Sequence, residues 1–164
     1  MNSKIFYATE TGTTTQIAQQ ISQLTNIPHF CISDATKNDL ESCEFLILGT
    51  PTWNDGSLQD DWIDFIEKNQ TLSLIGKTVA LFGLGDQRGH GEHFCDGLAK
   101  LYDFALSCGA NIIGSYIDDD YFFENSRAFV DGKFLGLALD DDYQSELTQK
   151  RIKKWLTTLP ITTI

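Results

Sequence analysis

A threonine-rich segment, YATETGTTTQ at residues 7–16, carries groups suited to holding an anion. It follows an apolar run and precedes a helical pattern, so we expect a loop that ends at a helix N-terminus. Unpaired backbone N–H groups and the helix dipole favour negative charge there, and threonine hydroxyls add donors. On this loop alone, a threonine-rich helix cap without a ligand is the slightly better explanation.

The charge pattern of this loop limits its chemistry. No Lys or Arg occurs between Lys4 and Lys37, and the loop is neither a Walker A motif nor a GxGxxG motif. Phosphoryl transfer needs cations to neutralise developing charge. The loop therefore suits a phosphate that anchors a ligand and does not react.

A second polar loop, TPTWNDG, runs from Thr50 to Gly56 after another apolar run. Its Trp53 lies in a turn, where a flat ligand would give an exposed indole a role. The alternative is an indole that folds back on the helix beginning at Gln59.

A third loop, GLGDQRGHGEH, runs from Gly83 to His93. Its glycines allow a close backbone approach to a ligand, and Asp86 could accept a hydrogen bond from an imide N–H. His90 and His93 do not form an HExxH motif, and no further His or Cys cluster supports a metal site. No metal is expected.

The elements that position these loops alternate between strand and helix patterns. Strands are predicted at Lys4–Thr9, His29–Ile32, Phe45–Thr50, Thr78–Gly83 and Asn111–Tyr116. Helices are predicted from about Thr13, at Gln59–Lys68, at Phe94–Ser107 and at about Ser145–Leu159. This alternation predicts an α/β fold, a doubly wound five-stranded parallel sheet with helices on both faces. Ligands bind at the carboxyl ends of such strands, where the three loops become neighbours.

We expect one domain over residues 1–164, because the length suits a single core. The stretch between Tyr116 and Ser145 is too long for an ordinary connection. Short strands around Ala128–Val130 and Lys133–Leu139, joined by Asp131-Gly132, would make residues of about 117–140 an insertion. This insertion would split or flank the fifth strand.

The formal net charge of −11 argues against unassisted binding to nucleic acid or to an anionic membrane. It suits steered encounters with basic partner proteins, although acidity for solubility alone is an alternative. Four cysteines without a CxxC pair indicate reduced thiols in a cytoplasmic protein. There is no secretory apolar segment at the N-terminus, and no apolar run of bilayer length.

In combination, the three loops resemble those of the flavodoxin family. TETGTT is similar to its phosphate loop, TPTWNDG to its first flavin-stacking loop and GLGDQRGHGEHF to its second. The resemblance covers nearly the whole chain, and DGKFLGLALDDDYQ is similar to the insertion of long-chain members. It implies the flavodoxin-like strand order 2-1-3-4-5, noncovalent flavin mononucleotide (FMN) and a low-potential one-electron carrier shuttling between semiquinone and hydroquinone. Such a protein transfers electrons between redox proteins and has no catalytic residues of its own.

The resemblance also assigns the cofactor-binding residues. The phosphate would be held by Thr9, Glu10, Thr11, Gly12, Thr13 and Thr14. The first stacking loop would comprise Thr50, Pro51, Thr52 and Trp53, with Asn54, Asp55 and Gly56 near flavin N5. The second would comprise Gly83, Leu84, Gly85, Asp86, His90, His93, Phe94 and Cys95. Here Asp86 would meet the pyrimidine edge, and His90 stands where family members commonly place a Tyr.

The implied partners are a flavoprotein reductase as electron donor and an iron–sulfur or other redox enzyme as acceptor. A monomer would meet them through its acidic surface, and Asp60, Asp61, Asp64 and Glu67 could steer them, although a solvated helix face is equally consistent. The alternative function is an FMN-dependent NAD(P)H:quinone reductase, but the sequence shows no basic pocket for a nicotinamide phosphate. A phosphorylation receiver is disfavoured, because Thr-Glu-Thr and Pro-Thr-Trp stand where its acidic residues should be.

Overall fold

The computed structural model describes residues 1–53 and 55–164. Its strands are β1 (Ser3–Tyr7), β2 (His29–Cys31), β3 (Phe45–Thr50), β4 (Thr78–Leu84), β5 (Asn111–Ile113), β6 (Phe129–Val130), β7 (Lys133–Phe134) and β8 (Leu137–Leu139). Its helices are α1 (Thr13–Thr25), α2 (Lys37–Glu41), α3 (Asp60–Lys68), α4 (Asp96–Ser107) and α5 (Ser145–Leu156). Among these described elements, no helix is both long and apolar enough to cross a bilayer.

The main sheet has the order β2-β1-β3-β4-β5, and its neighbouring strands are parallel. This confirms the predicted strand order. All six residues of β3 are buried, as expected for a strand covered on both faces. One face packs on α1 and α5 through Ile17, Ile21, Ile152 and Trp155. The other packs on α3 and α4 through Trp62, Phe65, Leu98 and Leu101.

The fifth strand position is shared by two separate segments. β5 pairs with Thr78–Ala80 of β4, and β8 pairs with Phe82–Leu84 of the same strand. Residues 114–136 leave the sheet between them. The insertion therefore splits the fifth strand, which was one of the two predicted arrangements.

Two predicted strands inside this region were wrong in their extent. The strand predicted at Asn111–Tyr116 ends at Ile113, because Gly114 adopts a left-handed φ of 81°. The strand predicted at Lys133–Leu139 is divided into β7, which forms a hairpin with β6, and β8. Gly136 lies at the break, where a Cβ would overlap the carbonyl oxygen of Leu81.

The helix ends also differ from the predictions. α4 begins at Asp96 instead of Phe94, because Cys95 has a left-handed φ of 54°. α5 ends at Leu156, three residues before the predicted end. α2 was not predicted. Its five residues carry no apolar period, and a capping box of Thr36 and Asp39 begins it.

Candidate functional site

Three loops at the carboxyl ends of β1, β3 and β4 enclose one cavity of about 390 Å³. This volume lies in the usual range for small-molecule sites. The cavity is lined by Thr9, Glu10, Thr11, Thr13, Thr14, Pro51, Thr52, Trp53, Leu84, Gly85, Asp86, His90, His93, Asp141 and Asp142. Sequence reasoning proposed all of these residues except Asp141 and Asp142.

The first loop ends at the open N-terminus of α1. Gly12 is the N-cap residue, with a φ of 92°, and no side chain among the described residues caps this end. The Thr9 hydroxyl oxygen accepts a hydrogen bond from the Gly12 N–H at 3.1 Å, which closes the loop. The following N–H groups of the first turn have no partner within the helix. They form a neutral donor set that fits an anion.

The second loop provides Pro51, Thr52 and Trp53 as cavity wall. Trp53 is 39% exposed. It also borders a shallow outer groove formed with Asp55, Ser57, Leu58, Asp60 and Ile63. Trp53 therefore lies between the cavity and the outer groove beside α3. Its indole is available to stack on a flat ligand in the cavity. Asn54, predicted to lie near flavin N5, is outside the described residues.

Close backbone contacts fix the second loop in place. The Gly56 N–H donates to the Trp53 carbonyl oxygen at 2.8 Å, and Gly56 has a left-handed φ of 85°. The Thr52 hydroxyl oxygen accepts from the Gly97 N–H of α4 at 3.0 Å. Asp55 is exposed, and hydrogen bonds from Ser57 hold the pKa of its carboxyl below the ordinary value.

The third loop folds around the Asp86 carboxylate. One oxygen of Asp86 accepts from the N–H groups of Arg88 at 3.0 Å and Gly89 at 2.8 Å. The same oxygen therefore has less capacity left for an imide N–H than the sequence alone suggests. His90 lies on the cavity wall together with His93. Within residues 1–53 and 55–164, no group of three or more His, Cys, Asp or Glu side chains is arranged to hold a metal.

His93 connects the third loop to the second. Its Nδ1 lies 3.1 Å from Oδ2 of Asp96, which is buried at the start of α4. The other oxygen of Asp96 accepts from the Arg127 N–H at 2.8 Å. A Cβ at Gly56 would come within 2.9 Å of Asp96 and 3.3 Å of His93. The second loop thus packs directly on this pair.

Several proposed binding residues do not line the cavity. Thr50 is buried and donates its hydroxyl to the Pro51 carbonyl oxygen at 3.0 Å. Phe94 belongs to an aromatic cluster with Phe123 and Phe134 in the core. Cys95 is also buried, which raises the pKa of its thiol. Gly83 packs against Leu98 and Gly56 against Asp96, whereas Gly12 is the N-cap of α1 and Asp55 lies in the outer groove.

Asp141 and Asp142 line the cavity although the sequence analysis did not propose them. They follow β8, and the pairing of β8 with β4 brings them to the rim where the third loop begins. The only signal was the run DDD before the last helix. Burial, followed by the like charges of Asp86, Asp140 and Asp141, raises the pKa of the Asp142 carboxyl.

We expect Asp142→Asn to increase the free energy of unfolding at pH 7 by less than about 1 kcal/mol. A raised carboxyl pKa means that the folded state disfavours the ionised form. This penalty is complete above the raised pKa and disappears below the ordinary value of 3.8. The gain should therefore shrink as the pH falls from 7 to 4. Denaturant titrations at both pH values measure it, with the exposed Asp103→Asn as control. A gain that does not vary with pH would contradict this account.

A buried polar network supports the third loop from below. The side chain of Gln87 donates to Asp140 at 3.0 Å and to Gln144 at 2.9 Å. Its carbonyl oxygen accepts from the Phe122 N–H of the insertion at 2.7 Å. Arg151 of α5, which is 1% exposed, donates to the same Gln144 oxygen at 2.8 Å. The loop is thus anchored to both the insertion and α5.

Comparison with known proteins gives consistent matches over the whole fold. The family model described as flavodoxin matches residues 5–155. The chain is 42% identical to a flavodoxin of Buchnera aphidicola over 156 residues, covering 93% of this chain and 91% of the relative. It is 40% identical to flavodoxin 1 of Escherichia coli K12, with 93% and 89% covered. The structure of Fusobacterium nucleatum flavodoxin bound to flavin mononucleotide superimposes with a TM-score of 0.87 at 38% identity, and 94% of each chain is covered.

Proposed function

The chain belongs to the flavodoxin family, and from that premise we propose that it carries single electrons on a noncovalently bound FMN. It is an electron-transfer protein of the long-chain type and not an enzyme. The observation that carries this function is a cavity where an anion cradle, an indole wall and a glycine-rich loop meet, with no Lys or Arg among the described residues that line it. When bound, FMN supplies a ring that takes up and releases electrons one at a time.

The residues of the cavity fit FMN in three parts. The N–H groups at the start of α1, with the hydroxyls of Thr9, Thr11, Thr13 and Thr14, would hold the phosphate. Trp53 and His90, from different loops, would face the ring. Leu84, Gly85 and Asp86 would meet its pyrimidine edge. Thr50, Phe94 and Cys95 act behind the wall by holding these loops in place.

The protein charges favour electron donation from the reduced cofactor. Asp86, Asp141 and Asp142 lie on the cavity wall, where their carboxylates disfavour additional negative charge. The side chains of Trp53 and Leu84 would also exclude water from a bound ring. Each tenfold bias between redox states changes a one-electron potential by about 59 mV.

A titration of the apoprotein tests the cofactor directly. Purified protein should be yellow, and after removal of the pigment the apoprotein should regain the visible absorption on addition of FMN. Quenching of flavin fluorescence gives the dissociation constant. A colourless protein that neither absorbs visible light nor quenches FMN fluorescence would refute the function.

The quinone reductase alternative is not favoured. Among the described residues that line the cavity there is no Lys or Arg, whereas a nicotinamide phosphate calls for cations. The FMN-loaded protein should not oxidise NADPH in the presence of a quinone unless a separate reductase is added. Oxidation without that reductase would favour the alternative.

The family implies redox partner proteins in general, and we place their docking surface around the outer groove. Trp53 and Ile63 are exposed there, and the acidic residues Asp60, Asp64 and Glu67 are exposed on α3. This surface would receive a basic flavoprotein reductase and an iron–sulfur or other redox enzyme. We further propose a monomer that folds as one domain over residues 1–164 and works in the cytoplasm, since its four cysteines are free thiols.

Asp60→Asn should lower the rate of reduction by a flavoprotein reductase about two- to threefold at low salt. Steering by one surface charge is weak and screened, so the difference should vanish at high ionic strength. The matched control is Glu44→Gln, which removes an exposed charge at the opposite end of β3. Stopped-flow measurements of the reduction rate over a salt series compare the two variants with the wild-type protein. Equal effects of the two variants would argue against docking at the groove.

A further inference from the structure

We propose that Gln59 sets the preference for phosphorylated flavin by holding the Glu10 carboxylate against the second loop, away from the phosphate cradle. The inference rests on the proposed function, since it concerns the phosphate of FMN. It assigns a positioning role to a side chain that does not line the cavity and would not touch the cofactor.

Glu10 places a negative charge inside a site that is suited to binding an anion. It is the acidic residue within Thr9–Thr14, and it lines the cavity beside the open end of α1. A carboxylate near a phosphate dianion repels it by Coulomb interaction. A free carboxylate at this position can also bind the N–H groups of the first helical turn. Glu10 would then compete with the phosphate for the same donors.

Gln59 controls where this carboxylate lies. The Gln59 side-chain amide donates to the Glu10 carboxylate at 2.8 Å, and its nitrogen lies 3.4 Å from the Thr9 carbonyl oxygen. Gln59 is 3% exposed, whereas Glu10 is exposed, so this contact is buried on the Gln59 side and open to water on the Glu10 side. It joins the first loop to the residue that begins α3, 49 positions away in sequence.

The direction of the Gln59 amide is fixed from its other side. Its carbonyl oxygen caps α3 by accepting from the Asp61 N–H at 2.6 Å. Because that oxygen is used by the helix, the NH₂ group is turned toward Glu10, and its nitrogen also lies 3.3 Å from Oδ2 of Asp61. The helix cap therefore orients the donor that holds Glu10.

A double-mutant cycle of Gln59→Met and Glu10→Gln tests the proposal on the full-length apoprotein. Dissociation constants for FMN and for riboflavin, which lacks the phosphate, give a preference ratio for each variant. Gln59→Met should lower this ratio about tenfold, as expected for one like-charge contact near a surface. Glu10→Gln alone should raise it by no more than about threefold, because the charge is already held away.

The double variant should recover most of the ratio lost in Gln59→Met. The loss in Gln59→Met should also shrink at high salt, since charge repulsion is screened. Gln59→Glu is a second variant in case Gln59→Met does not fold. It keeps an oxygen to cap α3 but replaces the donor with a like charge, so it should lower the ratio further. Gln70→Met, an exposed site just beyond the C-terminal end of α3, is the control and should leave the ratio unchanged.

The outcomes separate this inference from the function on which it rests. If the wild-type apoprotein does not bind FMN, the proposed function fails and the inference fails with it. If wild-type protein binds FMN but Gln59→Met weakens FMN and riboflavin equally, Gln59 is only a helix cap and the inference alone is overturned. The inference alone is also overturned if adding Glu10→Gln to Gln59→Met does not restore the preference for FMN over riboflavin.

Discussion

Replacing Arg151 with methionine should lower the free energy of unfolding of the apoprotein by about 3 kcal/mol. For a chain of this size, this corresponds to a fall in Tm of roughly 6–12 °C. Methionine fills the space of the aliphatic stem but cannot replace the guanidinium contacts. These include the hydrogen bond to Gln144 at 2.8 Å, the ion pair with Asp118 at 3.8 Å and the stacking at 4.0 Å over Tyr121.

Lys154→Met is the matched control for Arg151→Met. Lys154 contacts the same Asp118 carboxylate at 3.1 Å, yet its side chain is 51% exposed, whereas that of Arg151 is 1% exposed. Exposed ion pairs contribute about 1 kcal/mol or less, so Lys154→Met should have a small effect. Thermal unfolding followed by circular dichroism compares the two variants. Similar losses of stability in the two variants would show that the burial of Arg151 adds nothing to its contribution to stability.

FMN affinity should also fall in Arg151→Met and change little in Lys154→Met. Gln144 receives hydrogen bonds from both Arg151 and Gln87, so loss of Arg151 loosens the support of the third loop. The FMN dissociation constant should therefore rise in Arg151→Met and remain nearly unchanged in Lys154→Met. The effect would reach the cavity through two side chains, neither of which lines it.

The sheet and the meeting of the three loops were predictable because local patterns determine them. Continuous apolar runs such as Phe45–Thr50 are typical of strands covered on both faces, and β3 has those bounds. Parallel strands present their carboxyl ends at one rim, so the polar segments that follow them must converge. Sequence patterns therefore predict which three segments form most of the cavity wall.

The insertion was predictable in position but not in path. Nothing local distinguishes Leu137–Leu139 from the hairpin strand before it, because the break depends on Gly136 passing over Leu81 of another strand. The same long-range pairing brings Asp141 and Asp142 to the cavity. Their position on the cavity wall depends on the pairing of β8 with β4, two strands more than 50 residues apart in sequence. No local sequence pattern contains that pairing.

Sequence alone does not show which residues of a ligand-binding loop line the cavity and which are buried in the core. His93, Phe94 and Cys95 are consecutive, yet His93 lines the cavity while the other two are buried in the core. The left-handed conformation of Cys95 turns the chain from loop to helix at this point. A motif identifies the segment, but the backbone turn decides which side chains face the cavity.

Gly97→Ala should weaken FMN binding by about ten- to a hundredfold, because overpacking at this contact costs about 1–3 kcal/mol. A Cβ at residue 97 would lie 2.5 Å from the Pro51 carbonyl oxygen and 3.3 Å from the Thr52 Cα. Both are backbone atoms that cannot rotate away, so the second loop must shift. Pro51, Thr52 and Trp53 form the cavity wall, and the shift would displace the indole.

Thr52→Val separates steric displacement from the loss of a hydrogen bond. It keeps the volume of the side chain but removes the oxygen that accepts from the Gly97 N–H at 3.0 Å. One such bond contributes about 0.5–1.5 kcal/mol, so this variant should weaken FMN binding by less than Gly97→Ala. Alanine is the better helix former by about 1 kcal/mol, so the α4 helix itself should not be weakened by Gly97→Ala. A fluorescence titration that gives wild-type FMN affinity for Gly97→Ala would show that contact between α4 and the second loop does not position the indole.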